Sequence, residues 1–488
     1  MTVSSPIRQL LEVALVGLAT TMTVFACSST PVEDEPFGAP PVRTPAGDDD
    51  EETSDGGGSL PPPVDGGKLS LVRITAGLDH TCVLWSDGIL KCWGRNSEGQ
   101  LGLGDETPRG DVADTMSRKL PPVNLGNGAR TQTVGAGGRQ TCAILVGGQV
   151  KCFGHNDFGG LGQPDMERRG TTPESMGDAL DAVDLGSGRL ARDLGVGDFS
   201  TCALLNDGTV KCWGSNFGGE LGYGDELQRG GAPANPDARP LGDALPGVDI
   251  GLSDIVAVRM TTARAYQTGC ALAGNGTLKC WGGNNEGQLG LGDMNARGDD
   301  INEMGTQLRA VPIGGKSSFL ALGRDALCVG LDTGQMRCWG NNEWGKLGQG
   351  DTAMRGHDGN NLPLVNLGVS SKVISASMSD HVCAIFEDRT MKCWGHNHAG
   401  QLGLGDLVNR GELPNQMSTN LPLVDFGTND TPLEAATGES HTCVRFASNK
   451  VKCWGANGYG QLGYGDTTPR GDTAATMGQN LPYVDLGR

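Results

Sequence analysis

The sequence predicts an all-β repeat protein on three observations. A unit of about 60 residues recurs seven times, and each copy carries two cysteines ten positions apart. The 488-residue chain also holds 80 glycines but only 5% aromatic residues, a balance that favours short strands and tight turns over helices. A fixed period of this length marks an architecture in which each unit covers its apolar face against its neighbours.

In chain order, residues 1–26 come first, with Arg8 followed by the largely apolar run "LLEVALVGLATTMTVFA", which has the charge, length and final small residue of a secretory signal. With Val24, Phe25 and Ala26 ahead of Cys27, the junction resembles the lipobox of bacterial lipoproteins, in which the cysteine becomes the lipid-modified first residue. Phe25 and Glu12 depart from that pattern, and an ordinary signal peptide or uncleaved anchor is the alternative. Residues 27–68 are rich in Pro, Gly, Ser and acidic residues without apolar periodicity, as expected of a disordered tether. Residues 69–488 are repeats throughout and are read as one domain. No other apolar stretch reaches the roughly 20 residues of a membrane-spanning helix.

The paired cysteines are Cys82 and Cys92, Cys142 and Cys152, Cys202 and Cys212, Cys270 and Cys280, Cys328 and Cys338, Cys383 and Cys393, and Cys443 and Cys453. Between them lie two apolar runs flanking a turn, as in "CALLNDGTVKC", the pattern of a β-hairpin. A three-residue loop requires positive φ at its third position, where the chain supplies Gly88, Gly148, Gly208, Gly276, Gly334 and Asn449. Arg389 breaks that rule. Counting outward from such a loop, the cysteines face each other at a non-hydrogen-bonded pair, close enough for one disulfide in each hairpin. In the chain-entropy model each closed loop contributes about 2–3 kcal/mol. Structural zinc sites pair cysteines two to four residues apart, a spacing absent here. Seven disulfides require an oxidising compartment, in agreement with export.

A whole unit reads "LGVGDFSTCALLNDGTVKCWGSNFGGELGYGDELQRG" and is followed by "LPGVDIG". This resembles the repeats of the regulator of chromosome condensation family, with their G-x-x-H-[ST] strand, D-G turn, W-G-x-N and G-Q-L-G-x-G-D loop. The motif recurs at Trp93, Trp213, Trp281, Trp339, Trp394 and Trp454, with Phe153 substituting once. The resemblance implies a seven-bladed β-propeller, here with one intra-hairpin disulfide per blade. About four strand-like segments per unit, such as "VRITAG", "TCVLW", "ILKCWG" and "LPPVNLG", agree with it. The terminal "LPYVDLGR" either completes its own blade or bridges to the first.

In every unit the Asp of the G-x-G-D loop precedes an Arg by four residues: Asp105 and Arg109, Asp165 and Arg169, Asp225 and Arg229, Asp293 and Arg297, Asp351 and Arg355, Asp406 and Arg410, Asp466 and Arg470. A pair repeated identically in all units braces the loop by a charge-assisted hydrogen bond, with calcium binding as the competing reading. The Arg-Gly-Asp tripeptides beginning at Arg109, Arg297 and Arg470 are by-products of this pattern.

Candidate sites are therefore breaks in the repeat. His80, His381 and His441 occupy one repeat position and are read as strand-end hydrogen-bonding residues; His155, His396 and His398 lie in the W-G-x-N loops. No histidines stand at metal-ligand spacing, and the "IGGKSS" stretch lacks a phosphate loop's first Gly. No catalytic residue, metal or cofactor is expected. The connections after Arg-Gly vary most in length, the longest spanning 231–247, although Met116, Met176, Met304, Met417 and Met477 recur within them.

A net charge of −19 argues against nucleic acid as a partner. The leading expectation is a non-enzymatic propeller, lipid-anchored at a bacterial outer membrane or cell surface, or else secreted or periplasmic. It would bind a protein or glycan through loops on one face. The alternatives are nucleotide exchange on a small GTPase, which the resemblance implies, and a propeller hydrolase or lyase.

Overall fold

The computed structural model describes residues 69–231, 240–262, 267–359 and 362–488; the expected signal, Cys27 and the expected tether lie outside them. Seven three-stranded antiparallel sheets follow one another along the chain, each with its strands in sequence order. In blade 1 these are β1 (Leu71–Ala76), β2 (His80–Trp85) and β3 (Leu90–Gly94). The middle strand reads as a continuous apolar run because both its faces are covered, and all six β2 residues are buried. An extra residue interrupts the pairing near the start of β1, between Leu71 and Arg73, and the same bulge recurs in every blade. Such bulges add twist at the blade's inner edge.

Every hairpin closes as the three-residue loop requires, with Cys82 opposite Cys92 and each equivalent pair in the same register. The seven pairs are joined at Cα–Cα distances of 4.0–4.1 Å, those of a closely spaced non-hydrogen-bonded pair. Arg389 takes the glycine position with φ 67° and leaves the register of its hairpin unchanged. A left-handed non-glycine residue costs about 1–2 kcal/mol. Arg389→Gly will therefore raise stability by about 1 kcal/mol, read from the urea midpoint, and no upward shift would refute the assignment of strain.

The fourth strand-like segment is not a strand. "LPPVNLG" and its counterparts lie along the outer edge of each blade through one backbone bond, from Val123 N–H to Leu90 O in blade 1 and from Val484 N–H to Val451 O in blade 7, with a single β-bridge between Arg337 and Leu364 added in blade 5. Pro121 and Pro122 have no N–H to give. In blades 3 and 7 the Tyr223 and Tyr464 hydroxyls take the edge at Cys212 and Cys453 instead, each bonding the cysteine's N–H and carbonyl. The terminal segment thus stays with its own blade.

The core lies between blades rather than within them. Each disulfide packs with the aromatic residue of the following blade's W-G-x-N position, a tryptophan in six blades and Phe153 in blade 2, as Cys202–Cys212 does with Leu221, Val258 and Trp281. Cys443–Cys453 packs in the same way against Trp93 and so closes the ring. Each tryptophan donates its Nε1–H to a loop carbonyl of the preceding blade: Trp213 to Gly160 and, across the closing seam, Trp93 to Gln461, both at 3.0 Å. A buried lysine adds a second tie. Lys151 Nζ donates to Leu125 O and Gly177 O at 2.8 and 2.9 Å, and Lys91 Nζ reaches Leu486 O at 2.9 Å.

Candidate binding face

Antiparallel order puts the turn between the first two strands and the loop after the third at one end of each blade. They are stitched together there by one backbone bond per blade, such as Arg95 N–H to Asp79 O and His396 N–H to Asp380 O. Beneath, the frame is uniform. The Asn of each W-G-x-N accepts from a backbone N–H five residues on, as Asn96 does from Leu101, and its amide donates to the G-x-G-D loop, here to Asp105 O at 2.6 Å. The loop Asp and Arg lie 2.6–2.8 Å apart in all seven blades. These groups have one local arrangement throughout, which serves the frame. Among the described residues no group of three or more His, Cys, Asp or Glu side chains is placed to hold a metal ion.

His80, His381 and His441 belong to the seams. Each is fully buried, and each Nε2 lies beside a threonine hydroxyl of the next blade: His80 by Thr141 at 2.9 Å, His381 by Thr442 at 2.6 Å and His441 by Thr81 at 2.9 Å. The three hydroxyls already donate to the carbonyls of Gln100, Gln401 and Gln461, so each imidazole is the donor at Nε2. Burial drives their pKa values from 6.5 down to about 3, 3 and 4 respectively, and the proximity of His441 adds to the fall at the other two. At neutral pH they are uncharged struts.

Above this frame the blades differ, and two aromatic clusters form. In blades 2 and 3, Phe158 meets Phe199 and Phe217 edge-on at centroid distances of 5.0 and 5.3 Å. His155 stands beside Phe199, with its Nε2 at 2.9 Å from the Asp157 carboxylate. Phe217 is 55% exposed, an unusual place for a ring that size. Nearby, Glu98 of blade 1 draws in Arg168 at 3.0 Å and Arg139 at 3.9 Å.

In blades 5 and 6, Trp344 stacks on His396 at 4.0 Å and 10°, and His396 on His398 at 4.3 Å. Trp344 holds φ 59°, a left-handed conformation that non-glycine residues adopt at a cost. Lys346, standing where four other blades have Gln, pairs with buried Asp380 at 3.3 Å. Arg324 joins Asp380 to Glu439 at 3.5 and 3.6 Å. Burial lowers His396 to about 4 and also lowers His398. On the same face Arg95 lies 4.8 Å above the ring of Tyr459, which bridges blades 1 and 7.

Sequence reasoning located the three loop histidines but not the company they keep. Phe158, Phe217, Trp344 and Lys346 were visible as departures from the repeat at the positions just after W-G-x-N. Of the longest connection, 231–247, residues 232–239 lie outside the described residues.

Models of the Regulator of chromosome condensation (RCC1) repeat match residues 71–100, 191–220 and 435–461, and residues 87–144. The ultraviolet-B receptor UVR8 of Arabidopsis thaliana is 29% identical over 403 residues, which is 81% of this chain and 79% of that protein. The human E3 ubiquitin-protein ligase HERC2 is 26% identical over 286 residues, 58% of this chain but only 5% of that protein. Among solved structures, Prp20p of Saccharomyces cerevisiae, described with its binding properties to Gsp1p and histones, matches 75% of this chain and 80% of its own. The identity is 18% and the TM-score 0.55. Yeast RCC1 (Prp20) bound to Kap60 matches 76% and 78% at the same identity and TM-score. At that identity the likeness is one of fold.

Proposed function

The chain is built from repeats of the regulator of chromosome condensation family, and from that premise we propose that it is a non-enzymatic propeller recognising a protein partner through the aromatic face. One observation carries this reading: seven identical frames support a surface on which aromatic side chains, and not the frame residues, are unlike from blade to blade, with Phe217 standing out into solvent. Exposed aromatic residues on a rigid scaffold are the side chains that dominate protein interfaces. Yeast Prp20, which binds Gsp1p and histones and is seen bound to Kap60, supports a protein over a glycan.

The seven disulfides support export, and with it anchoring through Cys27 on the 27–68 tether. Exchange on a small GTPase is the second reading, favoured by the fold shared with Prp20p and opposed by those same disulfides.

The test begins with cross-linking of the native protein at its own membrane, followed by affinity measurement with the captured partner. Phe217→Ala and Trp344→Ala will each weaken binding at least about tenfold. Val146→Ser, at a hairpin tip on the opposite end, will leave it unchanged. The reverse pattern would move the interface to the other face. Intact mass spectrometry tests the anchor: the expected chain starts at an acylated Cys27 and gains fourteen protons on reduction. A chain retaining residues 1–26 with free thiols would return intracellular exchange to the front.

A further inference from the structure

Along the propeller axis the first strands of the seven blades line a cavity of about 330 Å³ that is open to solvent at its mouth. Its two halves differ in chemistry. Blades 3, 4 and 5 present Val196, Met260 and Leu322, whereas blades 6, 7 and 1 present Ser375, Ser377, Thr437, Thr75 and Arg73. Pairing reduces the charges that line it. Arg259 bonds Asp193 at 2.5 Å. Glu434 accepts from Arg445 Nε at 3.2 Å and from Ile74 N–H at 3.0 Å, and Glu439 is held by Arg324.

Arg73 is the exception. Its Nε is buried without a partner, and among the described residues its guanidinium makes no hydrogen bond or ion pair. It follows the bulge at Val72 and shares a strand face with Thr75 two residues on. Hydroxyl hydrogens remain available along the wall of the same cavity. Thr75 Oγ1 accepts from Ala136 N–H and keeps its own proton to give. Ser377 and Thr437 share one hydrogen between two hydroxyls, which leaves the second, and the Ser375 hydroxyl has no partner.

A guanidinium with a buried, unpaired Nε and no ion pair, facing a recessed cavity, gains charge-assisted hydrogen bonds when an anion reaches it. Its planar fork matches a carboxylate with two parallel bonds. We propose that the axial cavity binds a small carboxylate with a compact apolar body, its carboxylate on Arg73 and the neighbouring hydroxyls, its body against the Val196, Met260 and Leu322 wall. A convergent polar corner in a cavity of this size is the ordinary form of a small-molecule site. The cavity meets the aromatic face at Glu439, but the carboxylate site does not depend on the reading proposed for that face.

The experiment is ligand-observed NMR titration of the intact protein with benzoate, hexanoate, benzamide and inorganic phosphate. Benzoate and hexanoate are expected to bind saturably and benzamide, which lacks the charge, is not. Arg73→Met is expected to weaken both carboxylates at least tenfold, with Arg73→Lys retaining part of the affinity; a thermal midpoint of the ligand-free Met variant that does not fall excludes misfolding as the cause. Absence of carboxylate binding at high millimolar concentration overturns the proposal, as does equal binding by Arg73→Met. Phosphate binding more tightly than hexanoate overturns the role of the apolar wall.

Discussion

Lowering the pH from 7 to 5 will cost the folded ring about 2 kcal/mol for each of His80, His381 and His441. In the folded protein these imidazoles are held near pKa 3 to 4, while in the unfolded chain they titrate near 6.5. Below 6.5 the unfolded chain therefore takes up protons that the folded ring refuses. Stability is full above the unfolded value and falls as the pH drops towards the folded ones. The rings have no slack to adapt: a Cβ on Gly77 would lie 2.1 Å from His80 Cε1, and one on Gly438 the same distance from His441 Cε1. Blade 2 supplies the control, because Gln140 there donates to the Thr201 hydroxyl at 3.3 Å without a titrating group. Urea unfolding of the His80→Gln, His381→Gln, His441→Gln triple variant should show a distinctly flatter pH dependence between 6.5 and 4 than the native chain. His396 and His398 remain in both proteins and cancel. Parallel curves would show that the seam histidines are not what acid attacks.

The second large effect is steric. Trp213→Ala will destabilise the protein by about 3–5 kcal/mol, the range for deleting a large buried aromatic side chain. Trp213 is fully buried and lies against the Cys142–Cys152 disulfide in the seam between blades 2 and 3. Trp213→Phe should cost only about 1 kcal/mol, the worth of its Nε1–H bond to Gly160 O. That carbonyl keeps the Thr201 hydroxyl as donor, and Phe153 already fills the equivalent place in blade 2. Equal losses for the two variants, read from denaturant midpoints, would assign the energy to the hydrogen bond and not to the packed ring.

What could be read from the sequence was what closes within one hairpin. Ten residues from cysteine to cysteine, with a turn residue in the middle, fix both the register and the disulfide, and Arg389 was tolerated because the flanking pairs over-determine its backbone. The fourth segment was misread because its apolar pattern says only that one side is buried. Whether it joins a ladder depends on free N–H groups, which Pro121 and Pro122 lack, and on an open edge, which Tyr223 and Tyr464 occupy. The aromatic face was illegible for a different reason. Trp344 and His396 are unremarkable alone and become a stack only when adjacent blades bring them together across 51 intervening positions. Arg73 likewise looks like any charge on a strand, since its lack of a partner is a property of six other blades.

The closing seam carries a further implication. Thr81 with His441, Trp93 with Gln461 and Lys91 with Leu486 repeat across blades 7 and 1 the same contacts that join blades 6 and 7, with no strand exchanged among the described residues. A ring latched in this way has no privileged cut point. Circular permutants whose new termini fall between any two blades, with residues 69 and 488 joined by a short flexible linker, should fold to the same propeller, and the order of the blades along the gene is then a record of history rather than a condition of folding.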